Sequence, residues 1–192
     1  MVGAGHAREN RKQMTDNNND HGHDQNRGRG YFRGRGPLLQ QKGPGHRALR
    51  RGRVSLPHHV YLVTSATMKR QPFFQDFQAG CAAARCFEDR AILGDARMFA
   101  WVLMPDHAHW LLQLGEKDDL GLVMNRIKSA SARLVNQGLK RQGSLWDSAY
   151  HDHALRSEED LRTVARYIIS NPLRAGLVRR AGDYPFWNAV WI

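Results

Sequence analysis

The sequence lacks the features expected of a membrane or secreted protein. No run of about 18 apolar residues occurs in its 192 residues, and the first 30 residues are polar and charged, without the apolar stretch of a leader peptide. Cysteine is scarce, and the spacing of Cys81 and Cys86 fits neither a disulfide framework nor a zinc motif. We therefore expect a cytoplasmic protein with no membrane partner.

Positive charge is in excess and lies mostly at the amino-terminal end. The net charge is +11, and residues 1–53 carry 12 Lys and Arg against 4 Asp and Glu, a net of +8. This part includes the tract RGRGYFRGRG and has almost no core-forming residues. Because such a composition cannot offset chain entropy, residues 1–52 are predicted to be a disordered basic tail. Polyanion binding and simple solubilisation are equally compatible with it.

Residues 53–192 have the pattern of a compact α+β domain. The predicted order is a ferredoxin-like βαββαβ antiparallel sheet with its helices on one face, followed by a C-terminal helix. The predicted strands are 59–67, 96–104, 107–114 and 149–155. The predicted helices are 74–92, 119–140 and a last helix that starts at the cap Ser157 and ends near Asn171, before Pro172.

The helix predicted over 119–140 carries an apolar stripe and a basic stripe. The expected core stripe consists of Leu120, Val123, Ile127, Ala130 and Leu134. The basic stripe consists of Arg126, Arg133 and Lys140, which recur every seven residues and would align along the helix axis. It is either a ridge that follows a phosphate backbone or an ordinary solvated face, and the basic composition favours the ridge.

The candidate chemistry begins with His107 and His109. In a strand these two residues face the same side of the sheet, while Ala108 and Trp110 face the other. Two adjacent neutral imidazoles make a platform for a metal ion, although short His pairs also occur by chance.

Tyr167 and Asn171 lie one turn apart on the flank of the last predicted helix. A phenolate at a helix edge can attack a phosphodiester, and an amide oxygen one turn later can complete a metal site. Taken singly, each has a simpler interpretation, because Tyr167 can be a boundary tyrosine and Asn171 a helix-ending residue before Pro172. The expected core stripe of this helix consists of Leu161, Val164, Ala165, Ile168 and Ile169.

Three segments carry a family resemblance: MPDHAHWLL, SLWDSAYHDHALRSEEDL and ARYIISNPLRAGLV. With the opening RGRVSLPHHVYLVTSATMKRQPFF, they resemble the REP-associated tyrosine transposases, the IS200-like single-tyrosine branch of the HUH nucleases. The resemblance runs from about Arg51 to the carboxyl end and implies a transposase domain over 53–192. The implied partner is single-stranded DNA that forms hairpins at palindromic repeats, in a cytoplasmic, nucleoid-associated setting.

The resemblance assigns roles to individual residues. His107, His109 and Asn171 are the implied ligands of a divalent metal ion, Mg²⁺ or Mn²⁺, and Tyr167 is the implied catalytic nucleophile. The implied reaction is metal-dependent cleavage and transfer of single-stranded DNA through a 5′-phosphotyrosine intermediate. Imidazole ligands suit Mn²⁺ better than Mg²⁺, so we expect Mn²⁺ to support activity at least as well.

Further DNA contacts are predicted from charge placement alone. Arg162, Arg166 and Arg174 flank the tyrosine and are predicted to hold phosphates, while the ridge on the preceding helix would guide the hairpin stem. A second pair, His151 and His153, is expected on a strand near the site, and the aromatic end 184–191 is expected to be an apolar lid.

Two other functions stay open at this stage. The domain could be a non-catalytic hairpin DNA or RNA binding module with a host regulatory role. It could also be a hydrolase of the histidine-triad type, which needs a third alternating histidine where Leu111 stands. A homodimer is possible, and Tyr167 could then act on its own subunit's metal or on its partner's.

Overall fold

The computed structural model describes residues 55–156 and 159–191. The predicted tail, residues 1–52, and the predicted cap Ser157 lie outside the described residues. The strands are β1 Val60–Ala66, β2 Arg97–Met104, β3 His107–Gln113, β4 His151–Ala154 and β5 Trp187–Ala189. The helices are α1 Phe77–Ala84, α2 Arg90–Leu93, α3 Leu120–Gly138, α4 Leu161–Ile169 and α5 Asn171–Arg174.

The strands form one antiparallel sheet in the order β4-β1-β3-β2-β5. The order of the first four strands is that of the ferredoxin-like plan, so the predicted α+β fold class is confirmed. The fifth strand corrects the expectation of a carboxyl-terminal lid. Residues 187–189 pair with Ala100–Val102 of β2, so they satisfy backbone groups that the strand would otherwise leave open.

Helices pack on both faces of the sheet rather than on one. Helices α1 and α3 cover the face of Ala108, Trp110 and Leu112, as the ferredoxin-like plan predicts. Helix α4 covers the opposite face, where its buried Ile168 packs in a second cluster with Leu111. This arrangement follows from strand alternation, because the apolar residues of β3 point both ways and each face must be covered.

The helix predicted over 74–92 is two helices, each with its own aspartate cap. Asp76 accepts a hydrogen bond from the backbone N–H of Ala79, and Asp89 accepts one from Ala91, both at 2.8 Å. Since an N-cap residue marks the start of a helix, the two aspartates define α1 and α2 separately. The chain between them brings Phe87 into the core, where its ring meets the edges of Trp101 and Trp110.

The two later helices are shorter than the sequence pattern predicts. Helix α3 ends at Gly138, and its core stripe uses Val135 where Leu134 was expected, because Leu134 is exposed. Helix α4 begins after Asp160, whose carboxylate accepts hydrogen bonds from the N–H groups of Arg162 and Thr163. It ends at Ile169, so Asn171 is not its last residue.

Pro172 begins a helix instead of ending one. It lies in the first turn of α5, where the missing N–H of proline leaves no hydrogen bond unmade. The predicted core stripe of α4 is confirmed, since Ala165, Ile168 and Ile169 are buried and Leu161 and Val164 pack beside them. In the part of the chain that the structure describes, no helix is long and apolar enough to cross a membrane.

Candidate active site

His107 and His109 lie side by side on the sheet face that α4 covers. Their ring centroids are 5.0 Å apart and the ring planes are nearly perpendicular. The predicted common orientation of these two side chains is therefore present in the structure. Leu111, the next residue of β3 on this face, is fully buried under α4, so the row of histidines on this strand ends at His109.

His107 is held by a carboxylate and an arginine. Its Nδ1–H donates to Oδ1 of Asp106 at 2.6 Å, and Nη1 of Arg70 donates to Oδ2 of the same carboxylate at 3.0 Å. Burial opposes ionisation of Asp106, but His107 and Arg70 together hold its pKa below the ordinary value. A carboxylate that accepts from Nδ1 fixes the tautomer in which Nε2 carries the lone pair.

His109 is held by a hydroxyl group on the neighbouring strand. Thr64 lies opposite His109 in the register of β1 and β3, and its Oγ1 is 2.7 Å from Nδ1. Loss of solvent lowers the pKa of His109 to about 3, and the charges of His107, Arg174 and Arg70 act in the same direction. Burial also lowers the pKa of His107, against the opposing effect of Asp106. Both imidazoles are therefore neutral at neutral pH.

These two side chains fit the requirements of a divalent metal ligand. A histidine ligand must be neutral and presents one ring nitrogen to the metal while the other is held by a hydrogen bond. His107 and His109 meet both conditions through Nε2. Over residues 55–156 and 159–191, no group of three or more His, Cys, Asp and Glu side chains could hold a metal.

Asn171 lies at the corner between α4 and α5. Its Nδ2 donates to the carbonyl oxygen of Ile168 at 2.9 Å, which orients the amide and leaves Oδ1 as its acceptor atom. Because Ile168 is buried against the sheet, this bond ties the amide to the rigid part of α4. Tyr167, the residue before Ile168, is half exposed at 50% of its surface.

Arg174 makes two contacts with Tyr167. Its Nη2 donates to the phenolic oxygen at 3.0 Å, and its guanidinium carbon is 4.1 Å from the ring centroid. The positive charge of Arg174 also contributes to the lowered pKa of His109. Helix α4, which carries Tyr167, covers the sheet face of the histidine pair. Arg174 contacts Tyr167 and lowers the pKa of His109.

The other predicted DNA contacts fall into two groups. Arg162 and Arg166 are exposed on α4, the helix of Tyr167. Arg126 and Arg133 lie on α3, whereas Lys140 does not, so the three residues are not on one helix as predicted. Arg126 is held by both carboxylate oxygens of Asp118, at 2.5 and 3.0 Å, and Lys140 lies beyond the end of α3 with a left-handed backbone. Helix α3 also packs on the sheet face opposite the histidine pair.

The second histidine pair lies on the edge strand β4. His151 is opposite Thr64 in the register of β1 and β4, so it belongs to the same sheet face as His109. His153 is exposed and its Nε2 lies 3.2 Å from both carboxylate oxygens of Glu159. The pair is on a strand near the site, as predicted, and β1 lies between that strand and β3, which carries His109.

Sequence reasoning did not identify Thr64, Asp106 or Arg70. Asp106 could have been found, because it directly precedes His107 in the turn between β2 and β3. The position of Thr64 beside His109 depends on the register of β1 against β3, which a single sequence does not specify. The contact of Arg70 with Asp106 follows a left-handed backbone at Lys69 and Arg70, with φ of 54° and 55°, which the sequence does not indicate.

A family model described as Transposase IS200 like matches residues 56–171, which is more than half of the chain. The chain therefore belongs to the IS200-like transposase family. It is similar to the protein of Escherichia coli strain K12 named REP-associated tyrosine transposase, with 35% identity over 89 residues, 45% of this chain and 50% of that protein.

A Haemophilus influenzae relative is 30% identical over 94 residues, 44% of this chain and 53% of its own length. The chain thus spans about half the length of the curated relatives it matches. Its fold is also that of a solved REP-associated tyrosine transposase bound to a REP hairpin. That comparison has a TM-score of 0.55 and 23% identity, and covers 70% of this chain and 79% of the other.

Proposed function

We propose that this chain is a metal-dependent endonuclease and strand transferase for single-stranded DNA. It acts at hairpin-forming repeats through a 5′-phosphotyrosine intermediate. The observation that carries the proposal is the placement of two neutral imidazoles on the sheet face that α4 covers, with the half-exposed Tyr167 on that helix. Family membership supports a transposase, and the hairpin in the structural relative supports the class of DNA.

Tyr167 is the proposed nucleophile. Its phenolic oxygen attacks the scissile phosphate, a bond forms between Oη and phosphorus, and the bond from phosphorus to the 3′ oxygen breaks. The phenolic proton passes to solvent and the departing 3′ oxygen gains one. Attack by another 3′-hydroxyl on the phosphotyrosine reverses these steps, so strand joining needs no nucleotide cofactor.

His107, His109 and Asn171 would hold the metal ion. Bound there, Mg²⁺ or Mn²⁺ would supply Lewis-acid polarisation of the scissile phosphate. Asp106 and Thr64 each hold the Nδ1 atom of one histidine, so the Nε2 atoms are the ring nitrogens proposed to bind the metal ion. Arg162 and Arg166 are proposed to bind DNA phosphates beside the tyrosine, because both are exposed on the same helix.

A covalent trapping assay tests the proposal. Labelled hairpin oligonucleotides from the repeats that flank the gene are incubated with the full-length protein in Mn²⁺ or EDTA, and a protein–DNA band is sought on a denaturing gel. We expect a Mn²⁺-dependent band that Tyr167→Phe abolishes without loss of folding or hairpin binding. Tyr150→Phe, at a tyrosine that packs against the core on the α1 and α3 side of the sheet, is the matched control and should retain the band.

The assay also separates the competing functions. Hairpin binding without an adduct on a broad panel of oligonucleotides would indicate the non-catalytic binding module. Cleavage that survives Tyr167→Phe would indicate a hydrolase that uses water. The histidine-triad type of hydrolase has no support in the fold, because Leu111 occupies the third alternating position and is buried under α4.

A further inference from the structure

We propose that Arg174 is a catalytic residue that stabilises negative charge on the phenolic oxygen of Tyr167 during strand cleavage and strand joining. The inference rests on the proposed function of Tyr167 as nucleophile. Nη2 of Arg174 touches the reacting atom itself, at 3.0 Å from Oη. The same guanidinium covers one face of the ring at 4.1 Å, so the direction of the hydroxyl and the plane of the ring are fixed together.

The contact spans the break between α4 and α5. Residues seven apart in an unbroken helix are separated by about 10 Å along the axis, so these two long side chains have to extend towards each other to meet. The break lies at Ser170, whose Oγ donates to the carbonyl of Tyr167 at 2.8 Å and satisfies one open group of the helix end. Pro172 has no N–H to donate to the carbonyl of Ile168, which instead accepts from Nδ2 of Asn171, and Arg174 lies on the short helix that follows.

The chemistry of a guanidinium suits this role in both directions of the reaction. Arginine keeps its protons at any working pH, so Arg174 cannot be a general base and acts as a permanent cationic donor. In cleavage, Oη develops negative charge as its proton leaves to solvent and its bond to phosphorus forms. In joining, the same oxygen is the leaving group and takes the charge again. A charge-assisted hydrogen bond to Oη therefore lowers both barriers.

A phosphate contact would behave differently from a donor to the nucleophile. Loss of an arginine that binds phosphate weakens hairpin affinity and lowers its salt slope by about one. Loss of a donor to the reacting oxygen slows the chemical step and leaves affinity and slope in place. The two roles are thus separable in one variant.

The test compares Arg174→Ala and Arg174→Lys with wild type in the full-length protein. The control is Arg179→Ala, an exposed arginine five residues later. Hairpin affinity is measured in EDTA, and single-turnover rates of adduct formation and joining are measured in Mn²⁺. We expect Arg174→Ala to slow both steps on the order of 100-fold with unchanged affinity. Arg174→Lys should be intermediate, and added guanidinium ion should restore part of the rate of the Ala variant.

A second readout needs neither DNA nor metal. The protein has five tyrosines, and with ring-¹³C tyrosine the Tyr167 signals can be assigned by their loss in Tyr167→Phe. Arg174→Ala should shift these signals and leave the other tyrosines unchanged, whereas Arg179→Ala should shift none.

The outcomes keep this inference apart from the proposed function. Tyr167 signals that do not respond to Arg174→Ala would overturn the contact and the inference. Two outcomes would overturn the catalytic role and leave Tyr167 as nucleophile. In the first, Arg174→Ala shifts the Tyr167 signals but forms and joins the adduct at wild-type rates. In the second, its loss of hairpin affinity accounts for the slower reaction. Absence of any adduct in wild type would overturn the proposed function, and the inference with it.

Discussion

At the residue scale, the two imidazoles of the candidate metal pair are held by different partners. Asp106 and Arg70 fix His107 through charged groups, whereas Thr64 fixes His109 through a neutral hydroxyl. The two arrangements have separate consequences. Loss of the Asp106 carboxylate should mainly lower the affinity for the metal ion. Loss of the Thr64 hydroxyl should mainly lower the free energy of unfolding.

Replacement of Thr64 by valine tests the hydroxyl. Valine has nearly the same shape but leaves Nδ1 of His109 without its partner in a solvent-poor position, so we expect the free energy of unfolding to fall by about 1–3 kcal/mol. Urea unfolding followed by circular dichroism measures the change. Thr64→Ser keeps the hydroxyl, so its free energy of unfolding should fall clearly less than that of Thr64→Val. Equal loss in the two variants would contradict a stabilising hydrogen bond to His109.

Replacement of Asp106 by asparagine tests the carboxylate. The amide cannot match the charge that orients His107, so we expect Mn²⁺ affinity to fall by roughly 10- to 100-fold with little change in folding. Mn²⁺ binding is measured by electron paramagnetic resonance without DNA. Asp183→Asn, which makes the same chemical change at an exposed carboxylate outside the site, should bind Mn²⁺ like wild type. Unchanged affinity in Asp106→Asn would show that this carboxylate does not prepare His107 for the metal.

At the scale of the element, the start of α4 decides whether Tyr167 is presented on an ordered helix. Asp160 caps it, and the hydrogen bond from Thr163, followed by that from the backbone of Arg162, lowers the pKa of Asp160. A lowered pKa in the folded state means that the ionised cap stabilises the fold above the unfolded pKa of about 4. This stabilisation is lost as the pH falls through the folded pKa.

We therefore expect Asp160→Ala to be less stable than wild type near neutral pH, with the difference narrowing below about pH 4. Asn is a good cap without a titrating group, so Asp160→Asn should be close to wild type near neutral pH. Urea midpoints of the three proteins at about pH 7 and pH 3 give the comparison. A difference between Asp160→Ala and wild type that is the same at both pH values would contradict a contribution from the ionised carboxylate.

The elements also show what a single sequence can and cannot predict. The common face of His107 and His109 and the core stripe of α4 follow from strand and helix periods, so both were predictable. The break at Ser170 was not, because Pro172 is compatible both with the end of one helix and with the first turn of another. The contact between Arg174 and Tyr167 lies across that break, and the sequence predicted only a phosphate contact for Arg174.

At the scale of the whole molecule, the sheet separates two groups of predicted residues. Tyr167 and the histidine pair belong to the face of α4, and α3 with Arg126 and Arg133 belongs to the other. Long-range packing decides this division, so the spacing of charges along α3 could not show it. Contact of Arg126, Arg133 and Lys140 with a hairpin stem stays a prediction.

The position of Arg174 also bears on whether the tyrosine acts within its own chain. It touches Tyr167 and contributes to the lowered pKa of His109 in the same chain. We therefore expect that mixing a Tyr167→Phe variant with a His107→Ala/His109→Ala variant restores no covalent adduct, although each retains one half of the site. Adduct formation by the mixture, at any ratio, would show that the tyrosine acts on the metal site of a partner.

The central claim is that Tyr167 becomes linked to the 5′-phosphate at the cleavage site. Mass spectrometry of the trapped adduct tests it most directly, because trypsin releases Tyr167–Arg174 as a peptide with one tyrosine. We predict that this peptide carries the nucleotide on Tyr167 through a 5′-phosphate, and that the other DNA fragment ends in a 3′-hydroxyl. Linkage to another residue or to a 3′-phosphate, or cleavage without any linked peptide, would contradict the account.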